Sequence, residues 1–102
     1  MPFWNLNTVP LTAFRPGIVS VAESGEDLIM VCMEIEAGME DSGHAHAFDQ
    51  CGWVVEGRLE MFIGDERQML RPNEAYFIPS GVQHGWKTLD RPVRLMDVSM
   101  KA

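Results

Sequence analysis

Gly43-His44-Ala45-His46-Ala47-Phe48-Asp49-Gln50-Cys51-Gly52-Trp53-Val54-Val55-Glu56-Gly57 is the stretch on which the reading of this 102-residue chain turns. The chain has three histidines, and two of them stand here at i and i+2. In an extended strand that spacing puts both side chains on one face. The third, His84, lies in Ile78-Pro79-Ser80-Gly81-Val82-Gln83-His84, a tight turn that opens into another short apolar segment. Neutral imidazole is the commonest metal ligand, and three converging on one point suit zinc, nickel, iron, manganese or copper. Gln50 follows in phase. If His44 and His46 point inward, so do Gln50, Gly52 and Val54, while Trp53 and Val55 face outward against a second sheet or a partner. His84 and Trp86 share a face, so Trp86 lines the same pocket.

Outward from this stretch, turn residues recur every eight to twelve positions, at Arg15-Pro16-Gly17, Ser24-Gly25, Ala37-Gly38, Gly64-Asp65, Arg71-Pro72-Asn73, Pro79-Ser80-Gly81 and Asp90-Arg91-Pro92. Between them run short segments rich in Val, Ile, Met, Phe and Trp. That rhythm belongs to an all-β sandwich or barrel. Strands are expected over 18–22, 28–35, 43–55, 58–63, 67–70, 75–78, 84–88 and 93–99. Residues 1–13, with Pro2 and Pro10, form an irregular arm or an extra edge strand, because proline bars a helix of any length there. The whole, 1–102, reads as one domain.

Fifteen acidic and eight basic side chains give a formal charge of −7. Nucleic acid and anionic membrane both need a basic face, so neither is an expected partner. The charge also mildly disfavours anionic substrates, unless a metal or a local arginine offsets it. No apolar run reaches the ~20 residues of a membrane helix. The start lacks the basic and apolar segments of a secretory signal, so the expectation is cytoplasmic. Cys32 and Cys51 lie inside strand segments and read as reduced, buried thiols.

The spacing Gly38-x5-His44-x-His46-x3-Gln50-x6-Gly57, with Asn73-x5-Pro79-x-Gly81-x2-His84-x3-Thr88, resembles the two motifs of the cupin superfamily in its short single-domain form. Together they cover 38–88. Gln50 stands where that pattern has a glutamate, Asn73 where it has a glycine, and Thr88 where it has an asparagine. The resemblance implies a conical β-barrel of the jelly-roll type, with one divalent transition metal held by His44, His46, Gln50 and His84 at its mouth. A neutral glutamine leaves the ion its full positive charge. Replacing it with glutamate is expected to tighten metal binding.

The family's chemistry is diverse, so only site residues can narrow it. Some resemblance extends to small cupins of pectin degradation that linearise unsaturated uronates. It carries Asp97 over as a catalytic residue. The aromatic partner's position falls on Ser99, and the chain ends before that group's arginine. Substrate contacts are expected from Trp86, Val54 and Phe77. Three readings follow: a metal-dependent isomerase, lyase or cyclase acting on a small oxygenated or sugar-derived molecule; an iron-dependent dioxygenase; or a non-catalytic small-molecule binder. Whether Asp97, Glu34 and Glu40 face the pocket or solvent separates catalysis from binding. A homodimer is expected, because Trp53, Val55 and the apolar arm residues 3–6 have no obvious cover within one small sandwich.

Overall fold

The computed structural model describes residues 2–101. Ten strands follow one another: β1 (Thr12–Arg15), β2 (Ile18–Ser24), β3 (Leu28–Ile35), β4 (Glu40–His44), β5 (Gln50–Glu56), β6 (Leu59–Ile63), β7 (Glu66–Leu70), β8 (Ala75–Ile78), β9 (His84–Thr88) and β10 (Val93–Met100). No helix occurs among the described residues. The strands make two antiparallel sheets, one in the order β1-β2-β3-β10-β5-β8 and the other β4-β9-β6-β7. The expected all-β jelly-roll class is the one observed.

Alternation explains why the sheets close on each other. Ile18, Ile35, Val54, Leu95 and Val93 from the larger sheet meet Leu59, Met61 and Leu70 from the smaller one in a single buried core. Burying each such side chain is worth about 1.5–3 kcal/mol, which is what drives two half-apolar sheets together. The reverse face of the larger sheet is apolar too. Cys32, Met96, Met30, Val21, Trp53 and Val55 lie there, and the arm folds back to cover them with Trp4, Leu6, Val9 and Leu11. Trp53 and Val55 thus point outward as expected, but it is the chain's own N-terminal segment that packs against them. Arg94 ties that segment down by donating from Nη1 to the Leu6 carbonyl at 2.9 Å.

The expected continuous strand over 43–55 is two strands, and they belong to different sheets. β4 ends at His44, residues 45–49 cross over, and β5 starts at Gln50. Pairing with the β8–β9 turn takes the chain out of the ladder. The Gly81 amide donates to the His46 carbonyl at 2.6 Å, and the Ser80 amide donates to an Asp49 carboxylate oxygen at 2.9 Å. His46 therefore sits on the crossover rather than on a strand.

Two positive-φ positions set the turns that align the motif strands. Asn73, at φ 71°, turns the chain between β7 and β8, a conformation that asparagine tolerates better than other side chains. Gly57, at φ 86°, connects β5 to β6 with its α-carbon pressed on the Pro92 carbonyl; a Cβ there would lie 2.6 Å from that oxygen. Gly57→Ala is expected to combine about 1–2 kcal/mol of left-handed strain with this overlap. Its thermal midpoint should fall by roughly 4–8 °C per kcal/mol lost, as read by calorimetry.

Candidate metal centre

His44 closes β4, Gln50 opens β5 and His84 opens β9, so three site residues lie at strand ends where two sheets meet. His44 and His84 are register partners across the β4–β9 ladder. Their ring centroids are 4.4 Å apart, and His46 lies 4.5 Å from His44 and 5.1 Å from His84. One ligand nitrogen from each of the three falls within 4.8 Å of the others.

Each ring is oriented by something else. The His84 Nδ1 donates to the Val82 carbonyl at 3.0 Å, which leaves Nε2 as the unprotonated nitrogen. That Nε2 is buried and has no partner. The His44 Nδ1 faces the Asp41 carboxylate at 3.1 and 3.2 Å, again freeing Nε2. Such carboxylate–histidine pairs commonly fix the tautomer of a metal ligand. His46 stacks on Phe48 with centroids 4.7 Å apart and planes 6° apart. Loss of solvent contact, then the two neighbouring imidazoles, push its pKa down and favour the neutral ring.

Gln50 is held by its amide nitrogen. Nε2 donates to both Asp97 oxygens, at 3.0 and 2.9 Å. Its Oε1 is thereby turned away from Asp97, and it is buried with no hydrogen-bond partner. An unpaired buried carbonyl is costly, roughly 1–3 kcal/mol. A cation there would repay that cost, so the donor set of three imidazole nitrogens and one amide oxygen fits a divalent transition ion.

Asp97 points inward from β10 and is 8% exposed. Besides Gln50 it accepts the Tyr76 hydroxyl. The reason Tyr76 reaches it lies in the register. Gly52 on β5 is flanked by Tyr76 on β8 and by Asp97 on β10. Three side chains would share that row, but the middle one is absent, and the Tyr76 ring spans the gap. A Cβ on Gly52 would lie 2.6 Å from Tyr76 Cζ. Burial raises the Asp97 pKa; the Tyr76 and Gln50 hydrogen bonds and the charges of His46 and His84 oppose that shift. Burial, followed by the Asp97 charge, pushes Tyr76 well up and keeps it a donor.

The cavity in front of these groups has a volume of about 140 Å³. His44, His84, Gln50, Asp97, Tyr76 and Trp86 line it, with Met33, Ile35, Met61, Ile78 and Leu95 as its apolar wall. Arg15 and Asp41 complete the rim. Trp86 thus lies where it was expected. Val54 does not: it is fully buried in the core between the sheets. Phe77 does not either. It is 60% exposed and lines a separate cleft of about 320 Å³ with Glu66, Gln68 and Glu74. The β8 residues alternate with Tyr76 and Ile78 inward, so Phe77 faces out. Glu34 pairs with Arg94 and Glu40 is exposed, which leaves Asp97 as the one of the three expected acids to face the cavity. Thr88 is structural: its hydroxyl accepts the Met39 amide at 2.8 Å and donates to the Glu36 carbonyl at 2.7 Å.

Two site residues escaped the sequence pattern. Tyr76 is one of two adjacent aromatics, and alternation alone does not say which faces in. Asp41 is three residues before His44, an odd spacing that should put them on opposite faces. A bulge between Asp41 and His44 inserts one extra residue, so Asp41 opposes Trp86 and His44 opposes His84, both inward.

Residues 31–99 match the family model described as the cupin domain, and the chain belongs to this family. It is 32% identical to the pectin degradation protein KdgF of Dickeya dadantii (strain 3937) over 73 residues, 71% of this chain and 66% of that one. The chain therefore matches just under two thirds of that relative's length. The structure of KdgF from Halomonas sp. superimposes with a TM-score of 0.84 at 27% identity, covering 98% of this chain and 94% of that one. The polyketide cyclase RemF from Streptomyces resistomycificus shares the fold, with a TM-score of 0.80 at 20% identity over 98% of this chain and 79% of that one.

The Gln50–Asp97 contact adds a cost to the glutamate replacement considered above. Glutamate at position 50 would set a second carboxylate against the first. Metal-free Gln50→Glu is expected to fold but to lose about 1–3 kcal/mol in urea denaturation. Adding Asp97→Asn should restore most of it, a coupling that independent sites would not show.

Proposed function

We propose that this chain is a metal-dependent cupin enzyme of the isomerase, lyase or cyclase type, acting on a small oxygenated or sugar-derived substrate. The observation that carries the reading is the buried, unpartnered Gln50 Oε1, together with three imidazoles whose ligand nitrogens lie within 4.8 Å of one another. In this reading His44, His46, His84 and Gln50 hold one divalent transition ion. When bound, such an ion supplies a Lewis acid that polarises a substrate oxygen. The chain's residues do the rest. Asp97 moves a proton to or from a substrate seated in the cavity. Tyr76 and Gln50 hold the Asp97 carboxylate in one orientation. Trp86 and the apolar wall exclude water. An inward-facing acid favours catalysis over simple binding, and the likeness to KdgF favours a sugar acid over other oxygenated molecules. Asp97 also favours proton transfer over oxygen activation, which needs no such group.

Isothermal titration of stripped protein with zinc, nickel, manganese and iron(II) tests the centre. One equivalent should bind, His84→Ala should abolish binding, and Asp41→Ala should weaken it by roughly 10–100-fold. Asp97→Asn should keep metal content and lose turnover of an unsaturated galacturonate, followed by loss of its ultraviolet absorbance. Failure of wild type to bind any of the four ions would end the metal reading; full turnover by Asp97→Asn would end the role of that acid.

The same reading includes a homodimer, now through a different surface from the one first expected. The arm covers Trp53 and Val55, whereas Leu28, Phe77 and Met100 are exposed at one end of the larger sheet's outer face. A partner placed there would cover them and the edge strand β8. Light scattering at micromolar concentration should read about twice the chain mass of 11.5 kDa, and Phe77→Asp should halve it.

A further inference from the structure

Among the described residues lining the histidine cavity, Arg15 alone carries a fixed positive charge. Its position there is made by a break in the β1–β2 ladder. Thr12 pairs with Ser20 and Ala13 with Val19, so the regular continuation would set Phe14 opposite Ile18. Instead the register shifts by one, and Arg15 opposes Ile18. Ile18 points into the core, and directly opposed residues share a face. The bulge thus turns Arg15 toward the cavity and puts Phe14 outside, where it is 64% exposed. Exposing a phenylalanine to place a cation is a choice that packing alone does not favour.

The guanidinium is also unclaimed. Arg58, Arg67 and Arg94 are paired with Asp90, Glu60 and Glu34. Arg15 has no ion pair or side-chain hydrogen bond among the described residues; its one recorded contact is the Phe14 ring, 5.5 Å from Cζ to the centroid. The two carboxylates of the cavity are already engaged, Asp41 by His44 and Asp97 by Gln50 and Tyr76. Neither competes for an incoming anion's partner. A guanidinium offers a planar fork of donors that matches a carboxylate in two parallel bonds.

We infer that Arg15 is the specificity-determining residue of this site, binding the carboxylate of a small hydroxy or sugar acid whose other oxygens face the histidine cluster. The inference rests on the proposed metal-dependent function and adds the residue that reads the charge of its substrate. In a chain of net charge −7 a local cation at the rim favours a carboxylate substrate. Because Arg15 is exposed at the rim, its replacement leaves the core intact.

The test uses D-galacturonate and its methyl ester as probes, titrated calorimetrically into wild type, Arg15→Met and Arg15→Lys, with metal content and thermal midpoint measured on the same samples. Wild type should bind galacturonate at least about tenfold more tightly than the ester, the scale of one charge-assisted contact. Arg15→Met should bind both alike, with ester affinity, metal content and midpoint unchanged. Arg15→Lys should keep part of the preference. A full preference in Arg15→Met overturns the inference, as does a wild type that fails to bind galacturonate or to distinguish it from the ester. Wild type without metal overturns the proposed function instead, since the preference is read separately.

Discussion

The Asp97 carboxylate is the group around which this small sandwich is arranged. A carboxylate taken out of water costs several kcal/mol unless its lone pairs are filled. Here two groups fill them, the Gln50 amide nitrogen, which spans both oxygens, and the Tyr76 hydroxyl. Each donor is fixed in return. The amide is held with its nitrogen on Asp97 and its oxygen turned away, and the tyrosine lies across the gap at Gly52. A cluster of polar groups in a core this small is tolerable because its members are satisfied, apart from two buried atoms without a hydrogen-bond partner, Gln50 Oε1 and His84 Nε2.

The rest of the fold supplies rigidity for that arrangement. The larger sheet presents apolar side chains on both faces, and the smaller sheet covers only one of them. The N-terminal arm covers most of the other. The arm then continues into β1, so the segment that shields the outer surface also delivers Arg15 to the rim. Structural cover and site composition are thus joined in fifteen residues of chain, and the arm is more than the loose end that its two prolines imply.

The fold class and the histidine cluster were legible because both rest on spacing that turns and alternation impose. Leu59, Met61 and Ile63 alternate, glycines and prolines punctuate, and the histidine motifs carry the resemblance. Parity also put Gln50, Gly52 and Trp86 on the inner side, although the reasoning ran through a strand that does not exist: His46 is on the crossover, and Gln50 opens a strand of the opposite sheet. What stayed hidden depends on partners distant in sequence. Phe77 and Tyr76 are equally apolar neighbours, and only their pairing with Cys51 and Gly52 decides which enters. Val54 obeys parity yet lies too deep to touch a substrate. Asp41 and Arg15 flank irregularities that no hydrophobic pattern signals.

Those two irregularities, one in β4 and one in β1, share a consequence. Each shifts the count along a strand by one, so the side chains beyond it change sides while the sequence keeps its letters. The charge of the cavity rim therefore depends on where the backbone bulges as well as on residue type. Removing one residue at Ser42–Gly43 would leave Asp41 two positions before His44 and still opposite Trp86, and removing Phe14 would leave Arg15 the regular partner of Ile18. A single-residue deletion at either bulge thus leaves the rim charges and the three clustered histidines on the inner side. In this architecture, an alignment gap that falls on a bulge is neutral for rim charge, whereas one within the regular part of either strand reverses which side chains face in.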